Sequence, residues 1–262
     1  MQTLHVSISG ANTPLGIETI SRLLHQGHIV NLQDSDYKKI QEDLAEVLAF
    51  CTGKISNLPA NESIETAITF FQNPSSIEFL LNIDAKMKMF IIPSNVLSDF
   101  QEIPHEISTF VIHDLIHPQI DAIWGAKHFS DWLLDSKDEI TDRICHWVSW
   151  RDVVDAICVI AGTNIDLPSR VDICGRRSIS LETTKREFMR LLDRSKTALS
   201  STLGIEHLTS EEENFQSTIW RKHRPDLNPL HELLTDVGKD GWHPLMGVEV
   251  SILEWIAHNL EM

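Results

Sequence analysis

A chain of 262 residues with 42% hydrophobic side chains can bury a full core, as one large α/β domain or one domain with an appendage, which excludes global disorder. Lys plus Arg total 22 against 38 Asp plus Glu. The formal charge of −16 excludes nucleic acid and anionic membrane surfaces as main partners.

The N-terminus runs directly into apolar alternation, Leu4 to Ile8, which predicts a short buried strand. No basic, apolar leader precedes it, and no apolar run approaches the roughly 20 residues that span a bilayer. A soluble, cytoplasmic setting is expected. Ile17, Ile20, Leu23 and Leu24 recur at helical spacing, and Gly27 stands where such a helix would end. His28–Gln33 predicts a second strand. Asp43–Phe50 and Ser63–Phe71 are expected to be helices, and the apolar runs Ile77–Ile83 and Met87–Ile92 to be strands buried on two faces. Ser108–Ile112 is β-like, Trp150–Ala161 is helical, and Val171–Cys174 is a short strand. Ser180 is placed to cap an amphipathic helix to Leu192, with Leu181, Phe188, Leu191 and Leu192 inside and Glu182 and Glu187 outside. Thr209–Arg224 is charged and expected to be exposed. Leu230–Leu234 and Val248–Leu260 predict two last helices around the turn-rich GKDGWHP.

Gly10 and Gly16 bracket the first turn in the spacing G-x-x-T-x-x-G. Such a turn, between a strand and a helix, directs the helix N-terminus and its free N–H groups at a pyrophosphate. The middle position is Thr13, whose hydroxyl can donate to a phosphate or obstruct it, and Pro14 suits a first helical turn. Asp34, at the expected end of the second strand, can accept both ribose hydroxyls of NAD and would repel the 2′-phosphate of NADP.

Four stretches resemble the extended short-chain dehydrogenases/reductases, the superfamily of nucleotide-sugar epimerases, dehydratases and reductases. SGANTPLG resembles the T-G-A-x-G-x-x-G cofactor turn, and MFIIPSNVLSD the strand and serine segment near the nicotinamide. HWVSWRDVVDAI resembles V-H-V-x-D-V-V-x-A-I. VDICGRRSISLETTKREF together with RPDLNPLHELLTDVGKDGWHPLMGVEVSILEWI resembles the substrate-domain ending, with its L-G-W-x-P turn. The resemblance implies a doubly wound, Rossmann-like parallel sheet with a small, mostly helical C-terminal part. Residues 1–112 plus 146–165 would form the NAD(P)-binding domain, and 113–145 plus 166–262 the substrate-type region. It further implies NAD held by Gly10, Asn12, Thr13, Pro14, Leu15, Gly16 and Asp34, Ser94 as the family serine, and Arg176 and Arg224 near the phosphates of a nucleotide-sugar. The acid that the family places near adenine, in a G-D pair after the third strand, corresponds to Gly53-Lys54.

The family's Y-x-x-x-K motif is missing. The one tyrosine is Tyr37, with Gln41 four residues on, and QEIPHEI between Asp99 and the next strand is too short for a helix. The helix bearing the acid/base pair is therefore deleted, which would lower hydride transfer by about 10²–10⁴-fold even with geometry intact. Its loss is expected to expose apolar surface for a protein partner, a second copy or a rearranged loop to cover. Three readings follow: a non-catalytic or regulatory NAD(P)-binding subunit, an active enzyme with a replacement acid/base such as His113 beside Asp114, or a cofactor-free scaffold. His113 and His117 at i, i+4 would suit zinc only on a helix; as the end of a strand they are expected to be ordinary histidines, with no metal. Cys51, Cys145, Cys158 and Cys174, without a C-x-x-C pair, are expected to be buried thiols, and Trp124, Trp132, Trp147 and Trp150 to be core.

Overall fold

The computed structural model describes residues 3–57, 64–100, 102–119, 123–125, 127–134, 143–163, 165–199 and 224–260. The expected exposed segment Thr209–Arg224 thus lies outside the described residues except for its last residue. The chain divides into two compact units. The first draws on Met1–His113, Trp150–Ile173 and Asp226–His243, the second on Asp114–Ser149, Cys174–Pro225 and Pro244–Met262. Strand 170–173 and helix 228–236, expected in the substrate-type region, pack in the first unit instead.

Along the chain run β1 (His5–Ser9), α1 (Pro14–His25), β2 (Ile29–Leu32), α2 (Asp34–Asp43), α3 (Ala45–Phe50), β3 (Lys54–Asn57), β4 (Ile64–Phe70), α4 (Glu78–Asn82), β5 (Ala85–Pro93) and β6 (Ser108–Ile112). There follow β7 (Leu115–Ile116), α5 (Lys127–Leu133), β8 (Ile144–Cys145), β9 (Val148–Ser149), α6 (Trp150–Ala161) and β10 (Arg170–Ile173). The last are β11 (Ile179–Ser180), α7 (Leu181–Leu199), α8 (Asn228–Asp236) and α9 (Val248–Leu260). Seven parallel strands form one sheet in the order β10-β6-β5-β4-β1-β2-β3, the doubly wound arrangement that the resemblance implies.

Two expected elements exchange identity. Ser63–Phe71, read as a helix, is β4, paired with β1 and β5. Ile77–Ile83, read as a strand, is the end of a 3₁₀ turn and the short α4, started by a capping box in which Asn73 accepts from Ser75 N–H and Ser76 answers.

Partners in parallel strands share a face of the sheet. Val6, Ile8, Val30, Leu32, Ile68, Phe70, Met89, Ile91, Phe110 and Val171 form one face. That face meets α6, because Thr66 Oγ1 donates to Ala161 O at 3.1 Å, and α1 packs beside α6. The opposite face carries His5, Ser7, Asn31, Lys54, Glu65, Thr69, Lys86, Lys88, Thr109, Arg170 and Asp172. The right-handed rule puts the β4–β5 and β5–β6 crossovers over this face. They hold only α4, two 3₁₀ turns and loop. This face also carries Ala67, Phe90, Ile92 and Val111, which are fully buried, so the apolar surface expected from loss of the helix is covered rather than exposed. Its apolar part is closed by Phe100, packed edge-on against Phe71 and Phe90.

The second unit is built around aromatic rings. Phe129 on α5 lies 5.2–5.7 Å, centroid to centroid, from Trp132, Trp147, Phe188 on α7 and Trp255 on α9. Trp147 Nε1 donates to Thr184 Oγ1 at 2.8 Å, so its one polar atom is satisfied inside the core. Trp124, Trp132 and Trp147 are buried as expected; Trp150 is half-buried under the Arg151 guanidinium. Ser180 caps α7 by accepting from Thr183 N–H. Glu187, expected outside, is buried and paired with Arg190. Cys145, Cys158 and Cys174 are buried as expected, whereas Cys51 is half-buried, and burial pushes the Cys145 thiol up to about 12. Among the described residues no helix is long and apolar enough to cross a membrane.

His28 is buried at the N-terminal end of the sheet, where its Nδ1 accepts from Leu4 N–H at 3.3 Å and Nε2 has no hydrogen-bond partner. Burial disfavours the imidazolium and lowers the pKa. Between that lowered value and about 6.5 the unfolded chain binds a proton that the folded chain does not. Folding stability contributed by neutral His28 is therefore complete above about pH 6.5 and falls as the pH drops through that window. Urea melts of the wild type and His28→Gln at successive pH values should show a shallower acid loss in the variant; parallel profiles would contradict this.

Candidate functional site

β1 ends in a turn that only glycine can make. Gly10 has a φ of 71°, and a Cβ there would come 2.3 Å from Phe70 O; a Cβ on Gly16 would come 2.6 Å from Gly10 O. The turn and the helix N-terminus thus have the close packing on which dinucleotide sites are built. Thr13, however, spends its hydroxyl locally. Its Oγ1 donates to Gly10 O at 2.8 Å and accepts from Gly16 N–H at 3.1 Å, as the N-cap of α1. Ile17 N–H goes to Thr13 O, and Pro14 has no N–H. Thr13 is therefore not a phosphate donor, and few first-turn amides remain to face an anion. The neighbouring Asn12 Nδ2 donates to Asp36 Oδ1 at 2.8 Å, which ties the turn to α2, while Asn12 Oδ1 is buried without a partner.

Asp34 stands one residue beyond its expected place. β2 ends at Leu32, Gln33 is the N-cap, and Asp34 opens α2. Gly53-Lys54 is displaced by a whole strand length. It lies at the start of β3, where a Cβ on Gly53 would strike Leu24 and His28 backbone, so it is at the opposite end of the sheet from the turn. The segment that follows β3 lies outside the described residues.

Ser94 and His113 lie at the ends of neighbouring strands. They follow Pro93 and Ile112, the last partners of β5 and β6, and so stand side by side past the C-terminal ends of those strands. His113 Nε2 lies 2.7 Å from Asp172 Oδ1 on β10, and Arg170 holds the same carboxylate through Nε at 2.9 Å and Nη2 at 2.8 Å. Burial alone would raise the Asp172 pKa; hydrogen bonds from His113 and Arg170, and their charges, outweigh it and hold the carboxyl below its ordinary value. A hydrogen bond to that carboxylate needs the proton on Nε2, which leaves Nδ1 as the basic atom of a neutral ring. The sequence reading paired His113 with Asp114. The actual partner is Asp172, whereas Asp114, at a φ of 46°, accepts from His146 N–H and pairs with Arg143. Arg170 and Asp172 were missed because their relation to His113 lies in the β6–β10 register, not in local spacing.

Among the described residues the Tyr-x-x-x-Lys helix has no counterpart. Ser94–Asp99 is a 3₁₀ turn, β6 begins at Ser108, and Tyr37 lies in α2. In the second unit, a cleft of about 800 Å³ is lined by Arg176, Arg177, Ser178, Thr183, Leu245 and Met246, among others. Arg176 thus lines a cavity with cations, hydroxyls and apolar wall together. Arg224 is exposed and does not line it. His117 is buried, with Nδ1 accepting from Gln119 N–H. Among the described residues no three His, Cys, Asp or Glu side chains converge as a metal site.

Acidification should expose the Asp172 network. Its lowered pKa contributes stability that is present above about 3.9 and lost as the pH falls through the folded value. Asp172→Ala should cost about 1–3 kcal/mol at neutral pH, by removing charge-assisted hydrogen bonds. Urea melts check this, and an unchanged midpoint would contradict it.

No family model and no curated protein sequence matches the chain. Solved structures do. UDP-glucuronic acid 4-epimerase from Bacillus cereus, in complex with UDP-glucuronic acid and NAD, matches with a TM-score of 0.60 at 11% identity, over 98% of this chain and 99% of that one. Vestitone reductase from alfalfa matches at 0.56 and 15% identity, over 98% of both chains. A yeast methylglyoxal/isovaleraldehyde reductase complexed with NADPH matches at 0.55 and 11%, over 98% and 99%. The sheet order, the glycine turn and these whole-length matches together give this chain the fold of the extended short-chain dehydrogenases/reductases.

Proposed function

We propose that the chain is a nucleotide-binding protein of the extended dehydrogenase/reductase type that lacks tyrosine-dependent hydride chemistry and acts as a non-catalytic or regulatory subunit. The observation that carries this reading is the β5–β6 crossover, in which a 3₁₀ turn stands where the catalytic helix would run. The ligand would be NAD or a nucleotide-sugar, the two ligands in the complex of the UDP-glucuronic acid 4-epimerase. NAD, when bound, would supply a hydride-accepting nicotinamide.

Gly10 and Gly16 would let the pyrophosphate approach the N-terminus of α1, and Asp34 would take the ribose hydroxyls in preference to a 2′-phosphate. Because Pro14 lacks an N–H and Thr13 occupies Gly16 N–H, the pyrophosphate would find fewer donors than an open turn offers. Each charge-assisted hydrogen bond is worth about 1.5–3 kcal/mol, so affinity is expected to be modest. Arg176 and Arg177 would meet the diphosphate of a sugar nucleotide in the cleft of the second unit, where the arginine fork suits phosphate.

A second reading rests on the His113–Asp172 pair beside Ser94. A carboxylate-oriented imidazole is the arrangement of a general base, and it would replace the missing tyrosine.

Calorimetric titration tests the main reading. NAD should bind more tightly than NADP, and Asp34→Ala should weaken NAD about tenfold or more. Arg176→Ala should weaken a UDP-sugar and leave NAD unchanged. No binding of either ligand class at millimolar concentration would reject nucleotide binding.

A further inference from the structure

A doubly wound sheet offers two mononucleotide halves, one on each side of the point where the strand order reverses. In this chain the reversal falls between β1 and β4. The two halves are built very differently. On the β1–β2–β3 side the glycine turn opens α1, a helix of 12 residues with a capped N-terminus. The Asn12–Asp36 hydrogen bond closes the loop after β1 onto the first turn of α2.

On the β4–β5–β6 side the crossovers carry a five-residue helix and 3₁₀ turns. Aromatic side chains stand there instead. Phe71 follows the last residue of β4, anchored by its N–H to Ile91 O at 2.9 Å. Phe90 lies on the neighbouring strand and Phe100 comes from the shortened crossover. Ring centroids are 6.5 Å apart for Phe71 and Phe90, 5.9 Å for Phe71 and Phe100, and 5.3 Å for Phe90 and Phe100. Phe71 and Phe90 are buried, and Phe100 is half-exposed. Phe70 O packs against Gly10, so this aromatic group begins one residue from the glycine turn.

We propose that the glycine turn serves a half-site for the ribose and phosphates of a nucleoside diphosphate, and that Phe71, Phe90 and Phe100 close the half in which a second, nicotinamide-type mononucleotide would lie. This deepens the nucleotide-binding reading above and rests on it. The protein then binds a nucleoside diphosphate and gains nothing from the nicotinamide end of NAD.

The test is calorimetry on the full chain with NAD, ADP-ribose, ADP and nicotinamide mononucleotide. NAD, ADP-ribose and ADP should bind within about threefold of one another, and nicotinamide mononucleotide should show no heat at millimolar concentration. Phe100→Ala, with native folding checked by near-UV circular dichroism, should tighten NAD about fivefold or more and leave ADP unchanged. Phe100→Leu, which keeps a large apolar side chain, should act in the same direction. NAD binding more than about tenfold tighter than ADP in the wild type would overturn the proposal, because the second half would then be engaged. Silence from all four ligands would reject the nucleotide-binding reading itself, and the half-site with it.

Discussion

The length of chain between β5 and β6 controls the rest of the first unit. The five registered residue pairs of these strands span four rises, about 13 Å, which an extended chain retraces in about four residues and a helix in about nine. Between Ser94 and Ile107 the described residues form a 3₁₀ turn and a loop. The sequence holds no Tyr-x-x-x-Lys motif, and among the described residues this crossover holds no α-helix.

That shortage propagates into the sheet. A face without long helices must be polar or be closed by something small, and both solutions are used. Lys54, Lys86, Lys88 and Arg170 share the face with His5 and Glu65, where His5 N–H donates to Glu65 Oε2 at 2.8 Å. Nearer the C-terminal ends, Phe100 supplies the apolar cover that a helix would have given. The other face keeps its helices, and α1 and α6 pack on it with buried aliphatic side chains.

Much of this was legible before any coordinates. The glycine turn, α1, α6 and the Ser180 cap follow from spacing, and the sheet order and the missing helix follow from the resemblance those stretches carry. What escaped has physical reasons. IETAITF is rich in β-branched residues, yet its apolar positions also fit a helical period, and only pairing with β1 and β5 decides. IEFLLNI is as apolar as a strand, and its helical fate is set upstream by the Asn73-Pro74 cap, a signal that local hydrophobicity conceals. In the candidate site, Gly10, Gly16, Ser94 and His113 were readable as residue types at strand ends. Asp172 was not, because its partnership with His113 spans 59 residues. Nor was the self-satisfaction of Thr13, since a hydroxyl in a turn looks equally ready for a phosphate.

On the function proposed above, this fold has kept its nucleotide turn and lost hydride transfer. The most direct test incubates the protein with NAD and, in turn, UDP-glucuronic acid and UDP-galactose, following the absorbance of reduced nicotinamide and separating the sugar nucleotides by chromatography. The account predicts neither reduced nicotinamide nor epimerised product above a protein-free control. Turnover that co-purifies with the chain and disappears in His113→Ala would contradict it, and would establish the His113–Asp172 pair as a working acid/base.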